Sequence, residues 1–230
     1  MTAGSVRQPI VAVDGPAGAG KSTVARKMAE RLGLLYLDTG AMYRGLAHKA
    51  LRHGVDLRDE SSLEDLLTHT VIDLYRGRDG QTEVLVDGEN VTPYLRIPEV
   101  NASVSVVAGF PGVRVEMVRR LRKLAEHGGV VMDGRDIGTY VLPDADVKFF
   151  LTASLEARAK RRQKDLARLG YQVAVDILAQ EIDHRDRLDS TRAVAPLARA
   201  ADAVMIDTTN LEVDHVVDEM VSVFRHVVGE

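Results

Sequence analysis

The 230-residue chain has no cysteine and no tryptophan, and aromatic residues make up only 4% of it. Without cysteine it can form neither disulfides nor thiolate metal sites, so nothing in it depends on an oxidising compartment. No apolar run approaches the ~20 residues of a transmembrane helix, and the first nine residues contain no long apolar region. We therefore expect a cytoplasmic protein without a membrane partner.

Net positive charge is also lacking, because 34 acidic residues outnumber 30 lysines and arginines and leave a formal net charge of −4. This balance argues against general nucleic-acid binding, and the aromatic residues are too sparse for a base-stacking platform. The arginines are clustered locally, however. Such clusters suit small anionic ligands bound in a cleft rather than a polyanion spread over a face.

The most informative stretch is GPAGAGKS at residues 15–22, which fits G-x-x-x-x-G-K-[ST] at every fixed position. It follows the apolar run 10–13 and precedes a helical pattern at 23–32, the order that a P-loop requires. In a P-loop, backbone N–H groups and the helix N-terminus bind phosphate, Lys21 reaches the β/γ-phosphates and Ser22 holds magnesium. The alternative is a glycine-rich turn with an incidental lysine. The predicted ATP-binding residues of the loop are Gly15, Pro16, Ala17, Gly18, Ala19, Gly20, Lys21, Ser22 and Thr23.

Hydrophobic patterning predicts an α/β fold with a P-loop core of parallel strands flanked by helices. The predicted strands of this core are residues 10–13, 34–37, 130–132, 147–151 and 204–207. From about residue 61, β-like runs separated by glycine- and aspartate-rich turns predict a small antiparallel sheet inserted beside the crevice. The charged region 155–187 is predicted to be helical, with a hinge or tip at Gly170 and Tyr171.

Polar residues follow two of the predicted strands, at the edge where ligands bind to a parallel sheet. Asp38 and Thr39 follow the second strand, and helix capping is an equally good explanation for both. Asp133 follows the strand at 130–132 and opens the run Asp-Gly-Arg-Asp, which packing alone explains poorly. Asp133 is therefore our candidate for the acid that holds the magnesium shell, with Ser22 as the other metal residue.

Arg158, Arg161 and Arg162 occur at helical i, i+3, i+4 spacing and so share one face, where like charges repel unless an anion lies between them. A solvated helix face is the ordinary interpretation of such a cluster. Here, however, a P-loop needs positive charge to stabilise the phosphoryl group in the transition state, which favours a phosphate-closing lid. We expect all three arginines to contact ATP, and Arg158 and Arg162 to act in catalysis with Lys21.

Taken together, the motifs resemble those of the long-type bacterial cytidylate kinases, which are nucleoside monophosphate kinases. Besides the P-loop, the resemblance rests on residues 38–44 (DTGAMYR), 110–114 (FPGVR), 133–139 (DGRDIGT), 149–153 (FFLTA) and 192–197 (RAVAPL). It covers nearly the whole chain and implies a five-stranded parallel core at about 9–60, 110–157 and 193–230. It also implies a monophosphate-binding insertion at about 61–109 and a mobile lid at about 158–192.

The same resemblance implies transfer of the γ-phosphoryl group from ATP, with Mg²⁺, to CMP or dCMP, and we expect a monomer. It implies that three arginines hold the monophosphate with help from Tyr43, that two residues hold the ribose, and that three read the cytosine edge. The CMP-binding residues are Tyr43, Arg44, Arg135 and Arg192 at the phosphate, Arg185 and Asp189 at the ribose, and Ser105, Arg114 and Asp136 at the base, together with Asp38 and Thr39 of the turn that points towards the crevice. Arg135 is included among the catalytic residues. Arginine suits bidentate phosphate binding, and a carboxylate can accept from the amino group of cytosine.

Three alternatives stay open at this point. The first is a kinase for another small acceptor, such as a different monophosphate or shikimate. The second is a P-loop switch that reports nucleotide state to a protein partner, but its guanine-reading N-K-x-D stretch has no counterpart, since the chain contains no Asn-Lys dipeptide. A purely structural role is the weakest, because converging arginine clusters are costly without anions to bind.

Overall fold

The computed structural model describes residues 7–77, 82–168 and 170–229. The strands are β1 Ile10–Asp14, β2 Leu35–Asp38, β3 Ile72–Arg76, β4 Thr82–Val86, β5 Glu89–Asn90, β6 Val130–Asp133, β7 Val147–Thr152 and β8 Val204–Asp207. The α-helices are α1 Lys21–Leu32, α2 Thr39–Arg52, α3 Glu60–Thr68, α4 Pro98–Val107, α5 Pro111–Leu124, α6 Leu155–Arg168, α7 Val175–Thr191 and α8 Val213–Val228. The α/β class is confirmed.

The central sheet has five strands in the order β2-β6-β1-β7-β8, and all of its pairs are parallel. Both faces of β1 are covered, because Ile10 and Ala12 belong to one apolar cluster and Val11 and Val13 to another. Such coverage explains why the strand is apolar throughout rather than alternating. Since β1 is the middle strand, its carboxyl end opens at the centre of the crevice, which places the P-loop there.

The smaller sheet is antiparallel, with the order β3-β4-β5, as the turn chemistry predicted. Asp87 and Gly88 join β4 to β5 with φ of 52° and 83°, so both central residues are left-handed as in a type I′ turn. This short turn starts the return strand at Glu89, slightly earlier than the strand expected near Val91. The sheet packs on α2, where the absent side chain of Gly45 leaves room for Val86.

The charged region is helical, as expected, whereas one further element was not predicted. The charged region is two packed helices, α6 and α7, and Gly170 between them is left-handed with φ of 86°. A single π-helical turn, Ile137–Val141, was not predicted at all. Its first N–H groups bond to the side chain of Asp14, so a tertiary contact rather than local propensity fixes it. Among the residues that the structure describes, no helix is long and apolar enough to cross a membrane.

Candidate active site

The P-loop lies tightly between β7 and α6. Gly15 has φ of 144°, and a Cβ there would lie 2.0 Å from the carbonyl oxygen of Leu151. A Cβ on Gly18 would lie 3.0 Å from the Cβ of Arg158. Gly20 precedes α1 in a left-handed conformation and has no side chain with which to cap it. The positive N-terminal end of α1 therefore faces the loop, which is the geometry that binds phosphate.

Lys21 is the first residue of α1 and is buried, and its Nζ donates to the carbonyl oxygen of Pro16 at 2.8 Å. Burial and the nearby charges of Arg135 and Arg185 lower the pKa of Lys21 to about 7, although Asp133 opposes them. The ammonium is thus held where its charge is poorly solvated. An anion beside it would be bound strongly, because the local dielectric is low.

Ser22 and Asp133 come together at the carboxyl ends of β1 and β6, where Ser22 Oγ donates to Asp133 Oδ2 at 2.9 Å. The hydroxyl of Tyr36 donates to Asp133 Oδ1 at 2.8 Å, and Thr39 Oγ1 donates to the Asp133 carbonyl at 2.7 Å. Burial, and then the charge of Asp38, raise the pKa of Asp133. A hydroxyl and a carboxylate are hard oxygen ligands, so this pair fits a magnesium ion.

Asp38 caps a helix and also contacts Arg44, one of the predicted phosphate-binding residues. Its Oδ1 accepts from the N–H of Ala41 at 3.0 Å and caps α2, while its Oδ2 accepts from Arg44 Nη2 at 2.7 Å. Arg96 of the segment before α4, which no motif singled out, approaches the same oxygen at 4.0 Å. Burial would raise the pKa of Asp38, but the charges of Arg44 and Arg96 lower it below its usual value.

Two of the residues predicted to read the base, Arg114 and Asp136, are in direct contact. Asp136 is buried, and its two carboxylate oxygens accept from Arg114 Nη2 and, at 2.9 Å, from Arg192 Nη2. Arg114 is only 1% exposed, and its guanidinium lies 5.8 Å from the centre of the Tyr43 ring. Ser105 Oγ is buried and has no hydrogen-bond partner among the described residues. An unpaired buried hydroxyl is costly in a protein interior, which marks this as a site shaped for a polar ligand.

Arg192 takes a place that the sequence analysis did not anticipate. It was expected to hold the monophosphate with Arg44, but its contacts are with Asp136 and, at 2.6 Å, with the carbonyl oxygen of Ala195. Arg192 thus lies beside Asp136, and its role at the monophosphate stays a prediction. Burial lowers the pKa of Arg192, and the charge of Asp136 opposes this effect.

A third group lies between the base-reading residues and the P-loop. Arg135 Nε donates to Asp189 Oδ2 of α7 at 2.9 Å, so a predicted phosphate ligand and a predicted ribose ligand form an ion pair. Arg185 is a helical turn away on α7, and its Nε is buried without a hydrogen-bond partner in the described part of the chain. Burial and the charge of Arg135 lower the pKa of Arg185 to about 10. Both arginines also act on Lys21, which connects this group electrostatically to the P-loop.

The three arginines of α6 have different surroundings and do not form one uniform charged face. Arg158 is buried on the P-loop, with Nε donating to the carbonyl of Ala153 and Nη1 to that of Ala17, both at 3.0 Å. Arg161 Nη1 donates to Thr208 Oγ1 at the end of β8 at 3.0 Å. Arg162 is half-buried. Burial lowers its pKa, the charge of Asp165 opposes this effect, and the charges of Arg96 and Arg44 add to it.

Sequence reasoning missed Asp14, the last residue of β1. Its carboxylate is buried and accepts from the N–H of Ile137 at 2.8 Å and from that of Gly138 at 2.7 Å. Burial raises its pKa to about 6, although these hydrogen bonds oppose the shift. Asp14 thus fastens the loop that carries Arg135 and Asp136 to the strand that carries the P-loop. The available signal was an acid closing an apolar strand, which is unusual unless the acid has a specific partner.

Comparison with known proteins agrees with this arrangement. A family model described as Cytidylate kinase matches residues 11–226. The cytidylate kinase of Desulforamulus reducens is 53% identical over 212 residues, which are 92% of this chain and 95% of the relative. That of Geobacillus kaustophilus is 53% identical over 223 residues, 97% and 99% of the two chains. The solved structure of an uncharacterized protein from Eubacterium ventriosum matches with a TM-score of 0.51 at 13% identity, over 94% of this chain and 98% of the other. At this identity the match supports the fold alone. The chain belongs to the cytidylate kinase family.

Proposed function

We propose that this member of the family transfers the γ-phosphoryl group of ATP to CMP or dCMP, giving ADP and CDP or dCDP. One observation carries the choice of acceptor. On the turn that Asp14 fastens to β1, the buried carboxylate of Asp136 is held by two arginines, Arg114 and Arg192. A carboxylate oxygen can accept from the amino group of cytosine, whereas it repels the carbonyl oxygen that uracil has in the same place.

ATP binds through the P-loop in this proposal. The N–H groups at the start of α1 and the ammonium of Lys21 contact the β/γ-phosphates, because both point into the loop and carry positive charge. Arg158, Arg161 and Arg162 approach from α6, and their guanidinium groups offset the charge of the triphosphate. Their different partners suggest different roles, with Arg158 fixed on the loop itself.

Mg²⁺ is the cofactor that we propose, with Ser22 and Asp133 as the residues that would hold it. The ion neutralises phosphate charge when bound, and it prefers the oxygen ligands that these two side chains offer. Tyr36 and Thr39 support the carboxylate and the backbone of Asp133, so they orient the site rather than touch the substrate. We expect loss of the Tyr36 hydroxyl to weaken the binding of Mg²⁺ more than the binding of CMP.

CMP binds on the opposite side of the crevice. We assign Arg44 and Arg135 to the monophosphate, with Tyr43 and Thr39 alongside and Asp38 holding Arg44 in place. Arg185 and Asp189 face the ribose from α7. Ser105, Arg114 and Asp136 read the base. The contact of Arg192 with Asp136 adds it to the base-reading group, from which its second edge can reach the phosphate.

The reaction needs alignment and charge neutralisation rather than a covalent enzyme intermediate. An oxygen of the CMP phosphate forms a bond to the γ-phosphorus as the bond from that phosphorus to the β–γ bridging oxygen breaks. The electron pair stays with ADP. Lys21 and the surrounding arginines stabilise the negative charge as it moves, and Arg135 is placed to act on both nucleotides because it lies near Lys21 and Asp189.

We further propose that the enzyme acts as a cytoplasmic monomer on small nucleotides only, and that the division into core, insertion and lid is functional. In this division β3, β4 and β5 belong to the monophosphate-binding insertion, and α6 and α7 form the lid. The negative net charge supports the absence of a nucleic-acid partner.

One steady-state assay tests the proposal. The full chain with MgATP is supplied with CMP, dCMP, UMP, AMP, GMP and shikimate, and formation of ADP is measured for each acceptor. We expect kcat/KM for CMP or dCMP to exceed that for every other acceptor by at least about tenfold, the effect of one well-placed polar contact. Equal rates with UMP, or a higher rate with shikimate, would contradict the assignment of the acceptor.

A further inference from the structure

Asp186 on α7 has no role in the site described so far, although it touches the P-loop directly. Its Oδ1 accepts from the backbone N–H of Ala17 at 3.1 Å, and its Oδ2 accepts from Nη1 of Arg158. Both side chains of the ion pair are largely buried, with 10% of Arg158 and 17% of Asp186 exposed. One carboxylate therefore joins three parts of the molecule, namely α6, α7 and the loop.

The contacts of Arg158 show what Asp186 does for it. Nε donates to the carbonyl of Ala153, and the two hydrogens of Nη1 go to the carbonyl of Ala17 and to Asp186. Within the described residues Nη2 makes no hydrogen bond, so its two N–H groups are available for an anion. The guanidinium is planar and rigid, so fixing one edge also fixes the direction of the other.

We propose that Asp186 is a positioning residue, which holds Arg158 on the P-loop so that Nη2 is directed at the ATP phosphates. This inference rests on the proposed role of Arg158 at those phosphates. The alternative is that the ion pair only stabilises the fold. However, the cost of desolvating a buried ion pair usually cancels most of the attraction between its charges. The packing agrees with positioning, because a Cβ on Gly18 would already crowd Arg158, so the guanidinium stem has little freedom.

The chain supplies a matched control on the same helix. Asp183 lies three residues before Asp186 and pairs with Arg187 at 2.6 Å, with 44% of Asp183 and 76% of Arg187 exposed. Removing the charge of Asp183 changes α7 by the same chemistry without touching the P-loop. An effect of Asp186 that Asp183 lacks is therefore specific to the contact with Arg158 and Ala17.

A double-mutant cycle in the full chain tests the proposal. Asp186→Asn, Arg158→Ala and the combined variant are compared with wild type and with Asp183→Asn for kcat, KM and thermal unfolding. Asparagine keeps an acceptor for Ala17 but loses the charge that holds Arg158. We expect kcat to fall roughly tenfold in Asp186→Asn, with KM for CMP unchanged, and to fall further by less than about twofold when the same change is made in Arg158→Ala.

The outcomes separate the two claims. If Arg158→Ala keeps normal kcat, the role of Arg158 at the phosphates is wrong and the inference about Asp186 is overturned with it. Two other outcomes would overturn only the positioning role, given that Arg158→Ala is impaired. In the first, Asp186→Asn has normal kcat. In the second, Asp186→Asn lowers kcat by the same factor in wild type and in Arg158→Ala. Should Asp186→Asn fail to fold, Asp186→Glu, which keeps the charge but displaces it by one methylene, takes its place in the same cycle and is judged by the same outcomes.

Discussion

The ATP side and the CMP side of the crevice are built in opposite ways. The proposed ATP side is centred on one continuous stretch, residues 15–23, whose glycines leave backbone N–H groups open to an anion, with the arginines of α6 beside it. The CMP side takes side chains from α2, α4, α5, α7 and the turn after β6 and organises them as arginine–carboxylate pairs. A backbone cradle suits a triphosphate that every kinase of this type shares, whereas side-chain pairs can be changed one at a time to select an acceptor.

The sharpest way to break this comparison is to remove Lys21, which is the charged side chain that residues 15–23 themselves contribute. We expect Lys21→Ala to lower kcat by a factor of about 10²–10³, because the ammonium binds phosphate most strongly as charge moves in the transition state. Lys27→Ala on the same helix is the control, since Lys27 is exposed and pairs with Asp214. A folded Lys21→Ala variant with normal kcat would remove the loop lysine from the mechanism.

The CMP side is tested by the ratio between two acceptors. Replacing Asp136 by alanine should cost CMP about 2–3 kcal/mol in kcat/KM, the effect of losing a buried polar contact, and should cost UMP much less. Glu116→Ala is the control, because Glu116 also pairs with two arginines, Arg119 and Arg120, and none of these three residues is proposed to contact CMP. A CMP to UMP preference that survives in Asp136→Ala would transfer base selection to Arg114 and Ser105.

A smaller effect is expected at the junction of the two sides. The pKa of Asp14 is raised from 3.8 to about 6, so its carboxylate becomes protonated as the pH falls below 6 and loses acceptor strength for Ile137 and Gly138. KM for CMP should therefore rise about threefold to tenfold between pH 7 and pH 5, while KM for ATP changes less. Lys21 and Asp136 face the same carboxylate and are its charged neighbours. Asp14→Asn should bind CMP weakly at both pH values. If KM for CMP in this variant still rose between pH 7 and pH 5 as it does in wild type, the assignment to Asp14 would be wrong.

The smallest expected effect is the uptake of a proton when ATP binds. Because the pKa of Lys21 is lowered to about 7, most of the amine is neutral at pH 8, and phosphates should raise its pKa and draw a proton from solution. We expect uptake of nearly one proton per ATP bound at pH 8 and much less at pH 6, where the amine is already charged. Calorimetry in two buffers of different ionisation enthalpy measures this number. Lys21→Arg, which stays charged throughout, should abolish the uptake, and persistence there would point to another group.

The contrast between the two sides also explains what could be predicted from sequence. Strand positions, the antiparallel insertion and the P-loop follow from local periodicity, turn chemistry and contiguous residues, and the structure has them in place. The π-helical turn at Ile137–Val141 could not be predicted, because its first N–H groups depend on Asp14, more than a hundred residues away in sequence. Local patterns carry no information about such a partner.

The same limit applies within the site. The resemblance gave Arg114, Asp136 and Arg192 as ligands, but their pairing with one another depends on how α5, the turn after β6 and the end of α7 meet. Tyr36 was visible only as an apolar strand residue, and its hydroxyl acquires a partner because β2 lies beside β6. The individual ligands are sequence information, whereas their networks are tertiary information.

Helix α7 contacts both halves of the crevice within a single helical turn. Asp186 is bound to the P-loop and Arg158, while Asp189, three residues later, is bound to Arg135 on the CMP side. A rigid helix cannot adjust to one nucleotide without shifting its contacts with the other, so the affinities for ATP and CMP should be thermodynamically coupled. The factor by which bound ATP changes the dissociation constant of CMP must then equal the factor by which CMP changes that of ATP. A single rigid element would thus couple the binding of two nucleotides that occupy different parts of the crevice.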